Sequence, residues 1–351
     1  MRKKSVYAID VCCGVGGLSY GLRKAGIRVV AGIDLDKTCE FAFTRNNRAQ
    51  FIHADIRDLK PKHLARLFPK RGIRLLAGCP PCRPFSTFRH GMYNWNHKEW
   101  SLLAEFARFA QTLRPEILTL ENVPGLASKR IFRKFVKRLV RCGYHVAYKS
   151  VYCPRFGIPQ HRRRLVLIAS LLGPVAVPTG NRTPEKFRTV RDTVSSLPKI
   201  AAGQKDPKDA LHAARSVSDL NLRRLRSSRP GGTWRDWPAS LRAKCHRKKT
   251  GATFRSVYAR MRWDEPAPTI TTQAYNFGTG RFGHPDQDRS LTLREAALLQ
   301  SFPRRFRFVK PGEQAIFSRV GQHIGNAVPP RLAFYIGKEI LKAVTLESPV
   351  Q

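Results

Sequence analysis

Acid is what this 351-residue chain is short of. Aspartate and glutamate number 24 against 65 lysines and arginines, a formal charge of +41. That excludes an ordinary surface of mixed sign. A polyanion, nucleic acid foremost, is the simplest partner for such an excess; an arginine-favouring composition or plain solubility is the blander account. Also missing is any apolar run near the roughly 20 residues that a bilayer span requires, so no membrane partner is expected. Met1-Arg-Lys-Lys is basic, but a short strand-like run follows it, so no signal peptide is expected either. Eight cysteines stand at 12, 13, 39, 79, 82, 142, 153 and 245, and only 79 and 82 share a Cys-x-x-Cys spacing. No second pair completes a zinc site, so no metal is expected, and the scatter suits a reducing cytosol better than a disulfide framework. Internal repeats and low-complexity tails are lacking too. The length, with 42% hydrophobic residues, fits one large domain with a real core plus a smaller one.

What is present begins with strand, glycine turn and acid in alternation. Residues 5–12 read as a first strand, after which Gly14, Gly16, Gly17 and Gly21 crowd into a turn and a helix start. Glycines there let a ligand approach the backbone, and the helix N-terminus offers free N–H groups; a tight strand-to-helix turn is the structural alternative. Residues 28–33 make a second strand ending at Asp34, where a nucleoside-binding fold places an acid on the ribose hydroxyls. Asp36 is the competing acid and could cap the next helix. A third strand near 51–54 ends at Asp55. Strand and helix repeated in this way argue for a parallel sheet. A fourth strand, 73–77, runs into Gly78-Cys79-Pro80-Pro81-Cys82, a rigid turn suited to holding a nucleophile, and Cys82 is the expected one. Residues 87–99 read as a polar, aromatic loop. Trp100 to Leu113 has helical periodicity with an apolar core stripe. Another strand, 116–120, ends at Glu121-Asn122-Val123, a carboxylate at a strand end. Residues 129–141 form a basic amphipathic helix whose charges read as a solvated face. Two further strands, 145–152 and 164–170, flank Gln160-His161-Arg162-Arg163-Arg164.

From 183 to 287 the alternation fades and Pro, Gly, Ser and Arg rise. Trp234 and Trp237 sit among Arg226, Arg229, Arg235 and Arg242, a mixture that suits a nucleic-acid surface, although tryptophan also fills small cores. Order then returns. Thr292 with Glu295 predicts a capped helix to Gln300, and Gly325-Asn326-Ala327-Val328-Pro329-Pro330 leads into a final helix with proline at its start.

In that order these pieces resemble the DNA cytosine-5 methyltransferases. Asp10-Val-Cys-Cys-Gly-Val-Gly-Gly17 is similar to the family's cofactor turn. Pro81-Cys82 followed by Phe85-Ser86, Glu121-Asn122-Val123, Gln160 with Arg162 and Arg164, Arg294-Glu295 through Gln300-Ser301-Phe302-Pro303, and Asn326-Ala327 complete the series. The resemblance implies an α/β fold: a Rossmann-like S-adenosylmethionine methyltransferase sheet with helices on both faces, plus a smaller irregular target-recognition domain. It implies a catalytic and cofactor domain of residues 1–182 and 288–351, with 183–287 reading the target. S-adenosylmethionine is the implied cofactor, held by Asp10, Cys12, Gly14, Gly16, Gly17, Asp34, Leu35, Asp55, Ile56, Asn326 and Ala327. Asp34 would take the ribose and Asp55 the adenine amino group. Cys82 would attack cytosine C6, Glu121 would serve N3 and the exocyclic amine, Arg164 would hold O2, and Arg162 would position the nucleotide or its phosphate.

The implied substrate is double-stranded DNA, with the cytosine flipped out of the stack. A monomer is expected, cytoplasmic and prokaryotic or phage in setting, with a cognate restriction endonuclease acting independently as its companion. This chain departs from the family pattern at Cys12-Cys13, where Phe-Ala is usual, at Asp34 for the commoner Glu, at Arg83, and in the spacing of the 87–99 loop. Three rival readings compete with this one. A Cys79/Cys82 redox site leaves the later motifs unexplained. A binding protein that has lost catalysis conflicts with intact Cys82, Glu121 and Arg164. A tRNA-modifying relative would carry a Cys-Phe-Thr signature that is missing here.

Overall fold

The computed structural model describes residues 4–80, 101–248, 251 and 257–346. By packing, the chain divides into two compact units. The first comprises Met1–Phe156, Arg163–Asn181 and Ala327–Gln351; the second comprises Gly157–Arg162 and Arg182–Asn326.

The first unit is built on a seven-stranded sheet. Its strands are β1 (Val6–Val11), β2 (Arg28–Asp34), β3 (Gln50–His53), β4 (Ile73–Gly78), β5 (Ile117–Asn122), β6 (His145–Tyr152) and β7 (Arg163–Ser170). Their order is β3-β2-β1-β4-β5-β7-β6, with only β7 antiparallel to its neighbours. β5 is buried at all six positions, as expected of a strand covered on both faces. Strand order reverses between β1 and β4. With right-handed crossovers, that reversal sends the helices after β1 and β2 to one face and those after β3, β4 and β5 to the other.

The first set of helices is α1 (Gly17–Ala25) and α2 (Glu40–Asn47), and the second is α3 (Pro61–Ala65), α4 (Ser101–Leu113) and α5 (Arg130–Arg141). Phe106, Phe109, Phe132, Phe135 and Leu139 pack beneath the central strands in one apolar cluster. The sequence-predicted stripe on α4 is therefore core. The terminal helix, Pro330–Leu346, packs on α1 through two glycines. A Cβ at Gly21 would lie 2.2 Å from the Pro330 carbonyl oxygen, and one at Gly337 would lie 2.6 Å from Ala25 Cβ. Among the described residues no helix is long and apolar enough to cross a membrane, and no disulfide joins the described cysteines.

Among its described residues the second unit has little regular structure: four short helices, α6 (Arg191–Val194), α7 (Asp219–Arg226), α8 (Leu293–Leu299) and α9 (Phe317–Asn326), and a two-stranded ribbon, β8 (Lys205–Asp206) with β9 (Asp209–Ala213). The final helix of the first unit is accordingly α10. Ala267 makes an isolated parallel bridge to Gln160.

Internal arginines do much of the holding here. Arg260, 5% exposed, donates to the carbonyls of Leu225, Ser228, His284 and Gln287 and pairs with Asp288. Loop carbonyls that no ladder satisfies thus gain charge-assisted partners. Trp234 and Trp237, 4% and 1% exposed, form an apolar cluster with Leu225, Leu241 and Phe277. Their role is core filling, the second of the two readings their sequence context allows.

Residues 288–326 pack with this unit, whereas the sequence texture places the boundary at 288. The physical reason is that the segment's arginines reach back into the unit: Arg294 pairs with Asp209 on β9, and Arg289 donates to the Ile200 carbonyl at 3.1 Å. A buried ion pair holds the segment itself together. Arg289 donates to both Glu295 oxygens at 2.8 Å, and Glu295 closes a capping box with Thr292 at the start of α8. Burial alone would raise the Glu295 carboxyl, but the Arg289 hydrogen bonds and charge outweigh it and hold it below the ordinary value. The pair's contribution is therefore present above the ordinary carboxylate value and fades as the pH falls through the lowered one. Glu295→Ala is expected to cost about 3–5 kcal/mol, because it strands a fully buried guanidinium. Chemical denaturation at neutral pH measures it.

Candidate active site

The site is assembled at the carboxyl ends of β1, β4 and β5, where the strand order reverses and open sheets gather their ligands. The glycine turn after β1 comes first. Cys12 has φ 57° and Gly14 φ 50°, so two residues of the turn take left-handed conformations. A Cβ at Gly14 would meet nothing within 4 Å, which leaves open space beside the backbone. Gly16 (φ 83°) is different: a Cβ there would lie 2.2 Å from Asn47 Nδ2, so close helix packing requires glycine. Gly17 opens α1. The Gly14 N–H donates to Asp34 Oδ2 at 2.7 Å, and the Asp36 N–H donates to Asp34 Oδ1 at 2.9 Å. The acid after β2 is thereby locked against the glycine turn. Asp36 caps the short turn after it by accepting from Thr38, the capping role its position suggests.

Asp10 is fully buried at the end of β1 and accepts from Ser19 Oγ at 2.6 Å. Burial raises its carboxyl to about 7, against the lowering effect of the Ser19 bonds. Its other oxygen, Oδ1, is buried with no hydrogen-bond partner among the described residues. Leu35, next to Asp34, is 62% exposed, an apolar side chain left bare at the rim of the same strand end. Ile56 is buried, and Asp55 is held by its own neighbour: the Arg57 side chain hydrogen-bonds it, and that bond lowers the Asp55 carboxyl. An open glycine cradle, an unpartnered buried carboxylate oxygen and an exposed apolar rim fit a nucleoside with an attached amino-acid moiety. In the second unit, Asn326 ends α9 exposed; Ala327, half-buried, begins the last segment of the first unit.

Glu121 lies at the end of β5, 3% exposed. Strand register decides its company. β4 pairs with β5 at Gly78 and Leu120, so the residue after β4, Cys79, stands beside Glu121. β5 pairs antiparallel with β7 at Asn122 and Leu165, which brings Arg164 to the same end. Arg164 Nε lies 3.0 Å from Glu121 Oε1, and Cys79 Sγ donates to Oε2 at 3.1 Å. Asn122 Nδ2 donates to the Pro80 carbonyl at 2.9 Å, so the turn that enters the Pro-Cys segment is tied to β5 from below. Burial, and then the Glu121 charge, pushes the Cys79 thiol well above its ordinary value. Cys79 is a neutral hydrogen-bond donor here and a poor nucleophile. Cys82, with Pro81, Arg83, Phe85, Ser86 and the 87–99 loop, lies outside the described residues.

Arg162 belongs to the second unit, is 3% exposed, and donates to the carbonyls of Ile270 at 3.1 Å and Gly325 at 3.3 Å. Its guanidinium braces backbone. Gln160 does likewise, donating to Leu299 O and Gln300 Oε1 while accepting from the Ile270 N–H. Nothing in the sequence singles out Ser19, Cys79 and Asn122 as partners of Asp10, Glu121 and the Pro-Pro turn. Only strand register, which no local pattern encodes, brings the last two to their targets.

Replacing Cys79 with serine is expected to leave most of the protein's activity intact, since a hydroxyl can donate the same bond to Glu121. An enzyme that used Cys79 and Cys82 as a redox couple would lose its activity in that variant.

A six-parallel, one-antiparallel sheet with a glycine turn after its first strand and an acid after its second defines the methyltransferases that draw on S-adenosylmethionine. Comparison sharpens this. The family model for C-5 cytosine-specific DNA methylases matches residues 6–342, and the chain belongs to that family. The type II methylase M.HgiDII of Herpetosiphon aurantiacus is 46% identical over 335 residues, covering 95% of this chain and 94% of that one. The type II methyltransferase M.PspPI of a Psychrobacter strain is 31% identical over 353 residues, covering 97% and 80%. The crystal structure described as a prophage-encoded DNA modification methyltransferase from E. coli superposes with a TM-score of 0.74 at 23% identity, over 97% of this chain and all of that one, a likeness of fold. The protein is thus an S-adenosylmethionine-dependent DNA cytosine-5 methyltransferase, and double-stranded DNA is its substrate.

Proposed function

We propose that Cys82, Glu121 and Arg164 carry the methyl transfer, and that the second unit selects the sequence in which the cytosine lies. The observation that supports this most is the buried Glu121, held between Arg164 and Cys79 at the mouth of β4, immediately before the Pro-Cys turn. Cytosine C5 is a weak nucleophile. A thiolate from Cys82 adds to C6, and the ring becomes enamine-like at C5. Electron density moves to N3 in that step, so a carboxyl that carries or shares a proton with N3 and the exocyclic amine lowers the barrier. Glu121 does this, and Arg164 holds O2. When bound, S-adenosylmethionine supplies an electrophilic methyl group. C5 then loses its proton to water, and the C6–S bond breaks to release the thiolate.

Asp10, Gly14, Gly16, Gly17, Asp34 and Leu35 line the cofactor cradle, with Cys12 in place of an aromatic edge. Each Asp34 oxygen accepts a backbone N–H, which holds the carboxylate at the strand end for a ribose hydroxyl. Asp55 and Ile56 serve the adenine, and Asn326 and Ala327 complete the cradle. Arg162 acts as a brace behind Gln160 rather than as a contact to the nucleotide, a role its carbonyl partners support. Bases are read by residues 183–287, and phosphates by cations around them. The enzyme works as a monomer in the cytoplasm of a prokaryote or a phage-infected cell, beside an independently acting restriction endonuclease; its bacterial relatives support that setting.

Bisulfite sequencing of DNA from a methylation-free host that expresses the chain should show 5-methylcytosine in one short sequence context. Transplanting residues 183–287 from a relative should change that context. No methylation would overturn the catalytic reading, and an unchanged context would overturn the division of labour.

A further inference from the structure

The most one-signed part of the molecule lies on the flank of the first unit, away from the cofactor cradle. Between Glu121 and Glu185 the chain contains no acid at all. Within that stretch α5 presents Arg130, Arg133, Lys134, Lys137, Arg138 and Arg141, all exposed. Their spacing, i, i+3, i+4, i+7, i+8 and i+11, places them on a single helical face. The opposite face, Phe132, Phe135 and Leu139, is buried in the core. The neighbouring sheet edge, β6, adds exposed Lys149 beside exposed Tyr148. No ion pair among the described residues involves any of the six α5 cations.

This arrangement works against the helix itself. Arg130 with Lys134, Arg133 with Lys137, Lys134 with Arg138, and Lys137 with Arg141 are four like-charge i, i+4 pairs, each destabilising. The first turn holds no acid, although acids are what a helix N-terminus favours. A local rule broken this consistently, with no ion pair among the described residues to offset it, points outward to a ligand that supplies the missing charge.

We propose that the α5 face is a second duplex-binding ridge, which holds DNA outside the target sequence by its phosphates alone. Charge density matches the occupant. Six cations over eleven residue steps span about 17 Å of helix axis, one charge per about 3.3 Å. One strand of B-DNA carries a phosphate every 3.4 Å or so along its axis. A lipid surface fits less well. Binding in a membrane interface needs an apolar face to bury, and α5 spends its own on the core, leaving only Val140 exposed. The ridge begins eight residues after Asn122 and runs back along the sheet, so it leads away from the Glu121 end. It would keep the enzyme on DNA between target sites without reading sequence.

This rests on the reading of the protein as a DNA methyltransferase, and the test separates the two. The full chain carrying Arg133→Gln, Lys134→Gln, Lys137→Gln and Arg138→Gln is compared with wild type on a duplex of adenine and thymine alone, which offers no cytosine to the active site. Binding is titrated against salt. The slope of log affinity on log salt should shrink by about 3 to 4, and affinity at low salt should fall at least about tenfold. The rate of methylation of a short target duplex should be unchanged. Arg133→Lys with Arg138→Lys, which keeps the charge, should behave as wild type. An unchanged slope overturns the ridge. So does a variant that instead loses binding to phosphatidylserine vesicles, or one whose methylation of the short duplex falls in step with its binding. Cys82→Ala, which should abolish methylation and keep the binding slope, shows separately whether the catalytic reading fails.

Discussion

Cys82→Ala and Cys82→Ser are both expected to abolish methyl transfer, leaving no product above background in a single-turnover assay. The reason lies in the ionisation of the nucleophile. A cysteine thiol ionises near 8.5 in the absence of perturbation, close enough to neutral for a useful thiolate fraction. A serine hydroxyl stays protonated and adds poorly to a pyrimidine ring. DNA carrying 5-fluorocytosine gives the complementary test. After methyl transfer, fluorine stands where the leaving proton should be, elimination stops, and the enzyme remains joined to the base. A denaturant-stable adduct that maps to Cys82 is the expected result. An adduct on Cys79 would make that thiol the nucleophile instead. The environment of Cys79 argues against that outcome, because burial and the Glu121 charge keep its proton in place. Retained activity in Cys82→Ala would sink the assignment outright.

Glu121→Gln should lower the rate of methyl transfer by about 100- to 10,000-fold, the usual span for a lost general acid–base group. Glutamine keeps the size of the side chain, but it cannot supply a proton to N3. The binding constant for S-adenosylmethionine and the melting temperature should change little. Glu121→Ala is a poorer probe. It would leave Arg164, only 15% exposed at its side chain, without its ion-pair partner, so a loss of activity could reflect lost packing as much as lost chemistry. If Glu121→Gln retained full activity, the carboxyl would be a spacer between Arg164 and Cys79 and N3 would need another partner.

Much of the first unit is legible in the chain's local patterns. Parallel strands covered on both faces are continuous apolar runs, and each ends in a glycine, an acid or a proline that stops it. The strand ends at Asp34, Gly78 and Asn122 are therefore visible within a residue or two. The capping box at Thr292 and the proline that opens α10 are legible for the same reason, since they depend on neighbours three or four residues apart. The second unit is legible only as a change of texture. Its core is made from Trp237, Trp234 and Phe277, and its loops are joined by Arg260 and Arg289, whose partners lie up to 89 residues away. An arginine that binds four carbonyls inside a protein looks, in sequence, like an arginine that binds phosphate. Part of the charge excess that suggests nucleic acid is in fact spent indoors.

The sequence by itself determined which chemical groups are available: a Pro-Cys turn, a strand-end glutamate, a glycine cradle with acids in step behind it, and a surplus of cations. Local spacing carries that information, because strand ends, turns and helix starts are set by residues within a few positions of one another. The tertiary structure decided which of those groups meet. Strand register put Cys79 and Arg164 on the two oxygens of Glu121. Burial set Arg162 against the carbonyls of Ile270 and Gly325. Arg294 on Asp209 and Arg289 on the Ile200 carbonyl tied residues 288–326 to the second unit. Each of these rests on contacts that local spacing leaves open, most of them between segments tens to hundreds of residues apart, and such pairing is settled by the packing of the whole sheet and core, not by any pattern along the chain.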